Sequence, residues 1–420
     1  MTELDTPAST ARQYRMQRRE LLFLISAINA LMALGIDLML PAFDRIREAY
    51  DLGEGSPRTG QVITVYFLGM AFAQVAWGPL TDRFGRKPIL YVSIGIYLVA
   101  ASATAIAPSF LLLLASRFVW GIGASGARTV TSAIIRDRFE GVDMAKAMSQ
   151  IMAVFMLVPI LAPVLGTGII AILPWRGVFW FCVVWAALIG MWSLRLRETL
   201  PVSEQRPLSF SSSVLGYREV MRTRVTAGYN IATVFLQGVF TTYLASSELL
   251  ISEVFDRRAQ FPFIFGCIAV LFAMGALVNG LIVGIFGVHG LVNKVYLVTM
   301  SLTVASVVVS VLADGRPNFW IYIPLLGLTL GSFMFLMPNL STAALDPMGH
   351  LAGTASAFGG AVRIGGGAVL GTIVSSQVSD STTPFAIGVL LLCGASWITV
   401  LVTRQRSPHL RVNPSMKIPA

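Results

Sequence analysis

The sequence carries little charge for its length. Asp, Glu, Lys and Arg make up only 12% of its 420 residues, whereas about 25% is usual in soluble domains. So few charges cannot cover a water-exposed surface, and the 55% hydrophobic content excludes a disordered chain. Cysteine is also scarce, because three in a chain of this length are too few for a disulfide scaffold. These shortages leave a helical membrane protein.

Long apolar runs are what the sequence has instead. A helix needs about 20 mostly apolar residues to cross the hydrocarbon. Twelve such runs lie at 20–42, 59–81, 88–107, 109–135, 145–172, 177–197, 223–250, 260–286, 292–314, 316–343, 350–378 and 381–403. Pro108 separates the third run from the fourth, and Cys182, Cys267 and Cys393 lie within runs, where we expect buried thiols. The prediction is an all-α membrane protein with twelve transmembrane helices.

The basic residues fall mostly on one side of these predicted spans. Of 31 Lys and Arg residues, 21 lie on the side of both chain ends, seven on the opposite side and three within spans. The positive-inside rule therefore predicts that both ends are cytoplasmic. The net charge of +10 then belongs beside anionic lipid rather than nucleic acid.

A polar segment rich in proline and serine divides the predicted spans six and six. Two six-helix halves joined by such a linker are typical of transporters whose substrate site lies between the halves. We predict a tail at 1–19, a six-helix bundle at 20–197, a linker at 198–222, a second six-helix bundle at 223–403 and a tail at 404–420.

Five charged residues interrupt the predicted spans, namely Asp37, Arg117, Arg128, Glu248 and Arg363. A charge inside a membrane is costly, so it faces protein or water and often marks function. Asp37 is a proton-carrying carboxylate, a partner in a structural ion pair, or a residue of a helix end that lies in the headgroup region. Arg117 has a similar predicted depth, so the two can pair if spans one and four face each other. Arg117 would then bias proton binding, hold a substrate or form a fixed bridge.

Polar or glycine-rich helix faces surround the other charges. Glu248 shares a face with Gln237 and Thr241, and it is either a second proton or cation site or a residue at the membrane interface. Arg128 is expected to reach toward the cytoplasm, and glycines flank Arg363 near the midplane. The residues we assign to a substrate cavity are Asn29, Ala33, Tyr66, Arg128, Gln237, Thr241, Glu248 and Arg363.

Residues 78–88, GPLTDRFGRKP, stand between the second and third spans. One acid and three bases in a tight turn can hold helix ends together, with Asp82 at the N-terminus of a neighbouring helix and the bases on acids or carbonyl groups. Such a polar contact can break and reform during a conformational cycle. The residues of this predicted gating latch are Gly78, Asp82, Arg83, Gly85 and Arg86.

This latch resembles the signature of the major facilitator superfamily. Further segments are similar to its twelve-span drug/proton antiporters of the bicyclomycin/chloramphenicol resistance (Bcr/CflA) group: 37–41, Arg117 with Gly121 and Gly123, 162–166, 197–201, 337–339 and 352–357. The resemblance implies a proton-driven exporter in which Asp37 is the coupling residue and Arg117 is coupled to proton or substrate movement. It also implies a helix bend at Pro159, Pro163 and Gly166. The sequence departs from the group at Trp120, where glutamine is common.

We therefore expect a multi-pass protein of a bacterial inner membrane that exports drug-like compounds, such as phenicol or bicyclomycin-type antibiotics, or metabolites, in exchange for protons. A proton-coupled or facilitated metabolite transporter of the same fold, with another direction or substrate, is the alternative. A membrane enzyme or sensor is disfavoured because the loops are short and no nucleophile–base cluster or phosphate-binding loop is present. We expect a monomer in the lipid bilayer, with no cofactor, metal or nucleic-acid partner.

Overall fold

The computed structural model describes residues 16–205 and 210–405, which form α-helices joined by short turns and contain no strand. The predicted tails lie largely, and the linker partly, outside these residues. The α-helices are α1 Arg18–Asp37, α2 Phe43–Ala49, α3 Gln61–Phe84, α4 Arg86–Ile106, α5 Phe110–Arg138, α6 Gly141–Ile172, α7 Gly177–Ser193, α8 Phe210–Arg222, α9 Arg224–Leu249, α10 Phe261–Leu312, α11 Phe319–Leu345, α12 Ala352–Ser375 and α13 Thr383–Gln405.

Ten stretches of the described residues are long and apolar enough to cross a membrane. The longest, Arg258–Leu312, has 55 residues and contains a break at Gly287, where φ is 65° and ψ is 159°. Glycine adopts this conformation without the steric penalty of a Cβ. Counting the two arms of α10 separately, together with the 17-residue apolar helix α7, agrees with twelve crossings. The predicted loop between 286 and 292 is wrong, because helix resumes directly after Gly287.

The chain order gives the molecule two faces. The inner face, predicted to be cytoplasmic, holds the start of α1 and the turns α3–α4 and α5–α6. The outer face holds α2 and the turn α4–α5, where α4 ends at Ile106 before Pro108. Ser109 begins α5 there by accepting a hydrogen bond from the amide of Leu112 at 3.3 Å, which satisfies one of the free amides of the first turn.

The helices pack as two groups that follow one another along the chain. α1–α7 form the first group, in which Arg45 of α2 donates a hydrogen bond to the carbonyl of Ile170 on α6, and α9–α13 form the second. The groups meet where α3 lies against α12 and where α6 lies against α10. Within the first group, α3 and α5 pack at backbone distance: a Cβ on Gly69 would lie 1.9 Å from the carbonyl oxygen of Phe118, and one on Gly121 would lie 2.1 Å from that of Tyr66.

Large apolar side chains cover the outside of the molecule, among them Phe72, Val99 and Phe263, which are each more than 70% exposed. Apolar surface of this extent is unfavourable in water and suits the hydrocarbon of a bilayer. Cys182 and Cys393 are buried and free, as predicted, but Cys267 is exposed on α10. That part of the prediction is wrong because apolar spans expose one side to lipid, where a thiol is as acceptable as in a core.

Candidate functional site

A cavity of about 300 Å³ lies between the two helix groups. Its wall comes from α1, α3, α5 and α6 on one side and from α9–α12 on the other. Methionine and phenylalanine dominate it: Met32, Met70, Met152, Met156, Met334, Met337, Phe67, Phe155, Phe240, Phe265, Phe272 and Phe333. Flexible thioethers and flat rings adapt to apolar ligands of different shape. Single-residue signals in the sequence do not mark these twelve residues as cavity residues, since methionine and phenylalanine are common throughout the apolar runs.

Few polar side chains reach this central cavity. Of the predicted cavity residues, Ala33, Arg128, Gln237 and Arg363 line it, and the predicted coupling residue Asp37 lines it as well. Asp37 ends α1 and is 4% exposed. Its carboxylate has no hydrogen-bond or ion-pair partner among the residues that the structure describes. A carboxylate without a partner in apolar surroundings is costly to keep charged.

The two arginines of the cavity come from different helix groups, Arg128 from α5 and Arg363 from α12. Arg128 places Nη1 at 3.8 Å from the sulfur of Met32, and Arg363 places Nη1 at 3.4 Å from Oγ of Ser341. Nε of Arg363 is buried without a hydrogen-bond partner. Arg128 and Arg363 both also line a second cavity, which lies at the inner face.

This second cavity is polar and measures about 750 Å³. It is lined by the inner ends of α3, α5, α11 and α12, and it shares Met70, Arg128 and Arg363 with the central cavity. The two spaces therefore join at these three residues. At its edge, Tyr217 of the linker helix α8 donates a hydrogen bond to the carbonyl of Val75 at 3.2 Å, and its ring stacks on Phe358 at 5.1 Å. The linker thus contacts both groups.

An ion-pair network closes the outer face between the two groups. Arg47 of α2 donates to both carboxylate oxygens of Glu248 on α9, at 3.1 and 2.9 Å, and it also pairs with Asp44. Arg258 bridges Asp44 at 2.9 Å and Glu253 at 2.6 Å. The three carboxylates approach within 4.8 Å of one another, and the two guanidinium groups between them offset their repulsion.

Glu248 was expected in the substrate cavity, and that placement is wrong. Its side chain lines neither cavity and is held in the outer network. The partner, Arg47, is 4% exposed, although its position after the first span made it look like an ordinary loop residue. Only the extra helix α2, which the hydropathy pattern does not reveal, turns Arg47 inward. A hydrogen bond of 2.7 Å between Thr372 and Thr64 adds a second contact between the groups.

Arg117 and Asp37 do not form an ion pair in the described part of the chain. Arg117 is fully buried, with its guanidinium carbon 4.4 Å from the ring centre of Tyr66 and 4.7 Å from that of Trp120. Nε donates to the carbonyl of Val62 at 3.3 Å, while Nη1 and Nη2 have no hydrogen-bond partner. Aromatic faces thus take the place of a carboxylate.

Three more residues expected in the cavity are packed between helices instead. Asn29 donates to the carbonyl of Ile25 at 2.9 Å and to Oγ1 of Thr131 at 3.2 Å, which ties α1 to α5. Tyr66 is buried beside Arg117 and donates to the carbonyl of Met32 at 3.2 Å. Thr241 lies against Gly371 of α12, where a Cβ would come within 2.5 Å of it. A polar stripe marks contact between helices as well as contact with a cavity, which explains these three errors.

The predicted latch forms a set of contacts at the inner face. Arg86 donates to Asp82 at 2.6 Å and to Asp137, at the end of α5, at 2.9 Å. Asp82 and Gly78 line the inner cavity, and Arg83 is exposed. Gly85 has a φ of 92°, which favours glycine at this turn.

Glu198, and not Asp82, occupies the N-terminus of α4. Its carboxylate accepts hydrogen bonds from the amides of Arg86 at 2.8 Å and Lys87 at 3.0 Å, and from those of Thr199 and Leu200. No signal in the sequence predicts this role of Glu198, because the residue lies 112 positions beyond Arg86 and only the fold brings them together.

The predicted bend residues lie on α6, which runs as a continuous helix through Pro159 and Pro163. Pro159 lines the central cavity. Gly166 lets α6 approach the end of α1, since a Cβ there would lie 2.2 Å from the carbonyl oxygen of Leu38. Gly166 thus brings α6 against the end of α1, the helix that carries Asp37. Pro159 and Pro163 each remove one backbone hydrogen bond from α6, which forms part of the cavity wall.

Two packed helix groups with a cavity between them, closed at one face and joined to a polar space at the other, define a membrane transporter of the alternating-access type. A sequence model of the Major Facilitator Superfamily matches residues 22–372, and the chain belongs to this family. Its members are secondary transporters rather than enzymes.

Similar proteins agree with this assignment. The multidrug resistance protein MdtL of Salmonella paratyphi C is 29% identical over 398 residues, which cover 94% of this chain and 96% of that protein. A bicyclomycin resistance protein homolog of Haemophilus influenzae is 26% identical, covering 90% of this chain and 95% of the relative. The crystal structure of a D-xylose–proton symporter shares the fold, with a TM-score of 0.74, 12% identity and coverage of 90% of this chain and 96% of that one.

Proposed function

We propose that this protein exports drug-like small molecules or metabolites from the cytoplasm across a bacterial inner membrane in exchange for protons, acting as a monomer in the bilayer. The observation that carries the proposal is Asp37, a carboxylate that has no partner in the described part of the chain and lies on the wall of an adaptable apolar cavity. The names of the relatives, a multidrug resistance protein and a bicyclomycin resistance protein homolog, support a similar substrate range.

Asp37 would couple substrate export to proton entry because its carboxylate alternates between a protonated and a deprotonated state. When the cavity faces outward, a proton neutralises the carboxylate and substrate leaves. When it faces inward, the proton leaves and substrate binds to the deprotonated site. One proton moving down 100 mV supplies about 2.3 kcal/mol, to which any pH difference adds. That energy suffices for a substrate gradient of about fiftyfold.

The experiment is proton flux in proteoliposomes with an imposed pH difference, challenged with chloramphenicol, bicyclomycin and a panel of amino acids. We expect at least one compound to release protons through the wild-type protein. Asp37→Asn should abolish this exchange while the protein still folds. Asp380→Asn, at an exposed outer turn, is the matched control and should exchange normally. Exchange in Asp37→Asn at the wild-type rate would contradict the proposal.

Uptake or facilitated passage of a metabolite on the same fold is the alternative, since fold does not set direction. Membrane vesicles of opposite orientation distinguish the two. An exporter accumulates substrate in inverted vesicles when their lumen is acidified, whereas a proton-driven importer accumulates it in right-side-out vesicles.

A further inference from the structure

Two arginines lie at the junction of the cavities, and we call this pair the clamp. Arg128 belongs to the first helix group and Arg363 to the second, and both line the central cavity and the inner cavity. A molecule that passes from the inner face into the central cavity through this junction therefore passes both guanidinium groups.

In the described ranges, 16–205 and 210–405, neither arginine has an acidic partner. A guanidinium offers five N–H donors and always carries its proton. The partners found are a thioether sulfur at 3.8 Å for Arg128 and a hydroxyl at 3.4 Å for Arg363, and Nε of Arg363 is buried with none. Cations inside a membrane protein normally pair with acids, so both guanidinium groups keep most of their donors available for an anion.

The surrounding charges do not supply that group. Among the described residues, Asp37 is the one acid that lines the central cavity. In the same part of the chain, Asp82 is the one acid that lines the inner cavity, and Arg86 already binds it. Arg136 adds a further positive charge at the inner end. The path into the central cavity therefore has a positive potential, which attracts anions and repels cations.

The apolar residues of the central cavity determine what kind of molecular body fits beyond the two arginines. Methionine and phenylalanine side chains cover most of the central cavity, and the only acceptor they offer a polar ligand is the weak thioether sulfur. A volume of about 300 Å³ is at the small end of ligand sites and fits one or two aromatic rings. The site thus combines an apolar chamber with a cationic mouth.

We propose that the preferred substrate is an amphipathic organic acid, whose carboxylate or sulfonate lies between Arg128 and Arg363 and whose aromatic or aliphatic body fills the methionine–phenylalanine chamber. This inference rests on the proposed transport function and names its substrate class. Because the two arginines belong to opposite groups, an anion between them replaces their repulsion with two charge-assisted contacts. Binding of substrate therefore favours closure of the inner path.

The test compares three probes with one fluorophore: dansylglycine, an anion; dansylglycinamide, its neutral amide; and dansylcadaverine, a cation. Their dissociation constants are measured by fluorescence anisotropy on the purified full-length protein in detergent. We expect wild-type protein to bind the anion about tenfold more tightly than the amide and to bind the cation most weakly. Equal affinity for all three would overturn the proposal without any variant.

Arg128→Gln and Arg363→Gln should each weaken binding of the anion far more than binding of the amide, and so remove most of the preference for the anion. Arg363→Lys keeps the charge but not the planar fork, and it should retain part of the preference. Arg316→Gln, an exposed residue at the outer face, should keep all of it. A full preference in both glutamine variants would overturn the clamp. If those variants do not fold, the lysine variant and the three-probe comparison on wild-type protein still decide.

Two further experiments distinguish the organic-acid proposal from lipid binding and from the proposed antiport. Displacement of dansylglycine by phosphatidylglycerol but not by phosphatidylcholine would show that the anion held is a lipid, and it would overturn the organic-acid substrate. Binding needs no proton gradient, so a tenfold anion preference together with proton-independent transport would leave the clamp standing and refute the proposed antiport. Proton-coupled export of the neutral amide, but not of the anion, would do the reverse.

Discussion

At the scale of single residues, Arg117 shows how this protein keeps a cation inside the membrane. Its guanidinium lies between the rings of Tyr66 and Trp120, and Trp120 is itself fully buried with edge-on contacts to Tyr97 and Phe179. A desolvated cation–π contact contributes about 2 kcal/mol, and indole is the best ring for it. Trp120, which departs from the family pattern, therefore stabilises Arg117 directly.

Replacement of this indole by a smaller ring tests that role. Trp120→Phe should lower the free energy of unfolding by about 1–2 kcal/mol, from a weaker ring quadrupole and a small cavity. Trp180→Phe, at a site that is 45% exposed on the lipid-facing side, is the matched control and should change little. Thermal unfolding of both purified variants measures the difference. Equal stability of the two would mean that Trp120 does not hold the cation.

Single residues also show what the sequence can predict. The five charges within spans stand out because hydropathy marks them, and three of them, Asp37, Arg128 and Arg363, do line the cavity. Their partners could not be predicted, since the contact between helix faces is decided by tertiary packing. The predicted cavity position of Glu248 is wrong for this reason, because its partner Arg47 lies 201 positions earlier in the chain, on another helix.

At the scale of helices, the length and order of the elements follow from apolar runs, whereas their ends depend on distant groups. The run that forms α4 is plain in the sequence, but its N-terminus is completed by Glu198, which follows α7. Four amide groups share that carboxylate, and a negative charge at a helix N-terminus also interacts favourably with the helix dipole. The α3–α4 turn is therefore fixed to the end of α7.

Removal of this charge should loosen the turn. Glu198→Gln keeps the size of the side chain but halves its acceptors, and we expect a loss of about 1–2 kcal/mol in the free energy of unfolding. Glu54→Gln, at an exposed position in the turn before α3, should cost nothing measurable. Hydrogen exchange at the amides of Arg86 and Lys87 adds a local measurement, since their protection should fall only in the first variant. Unchanged protection there would exclude the capping role.

At the scale of the whole molecule, the balance between inward- and outward-facing states depends on contacts that exist in only one of them. The outer network is such a contact, because Arg47 and Glu248 belong to different helix groups and must separate for the cavity to open outward. In that open state water would hydrate both side chains. Loss of one partner therefore removes an interaction from the inward-facing state and leaves the outward-facing state almost unaffected.

The consequence is a population shift of predictable direction. Truncation of one member of a buried, hydrogen-bonded charge pair costs about 2–5 kcal/mol, which is at least a tenfold change in an equilibrium between two states. Arg47→Gln and Glu248→Gln should each favour the outward-facing state, and the double variant should add little to either, since one variant already breaks the pair. Arg316→Gln, on the same face but outside the network, should shift nothing.

This shift can be measured with spin labels at Glu54→Cys and Ala259→Cys, one on the outer end of each helix group. The three native cysteines are first replaced, and pulsed electron paramagnetic resonance then gives the distance between the labels. We expect a longer distance to gain population in both single variants. Additive shifts in the double variant would show that Arg47 and Glu248 act separately. An unchanged distance in the single variants would show that the outer face is closed without the network, by the hydrogen bond between Thr64 and Thr372 and by the packing of α3 on α12. The network would then be a consequence of closure, whereas a shift in the single variants makes it a cause.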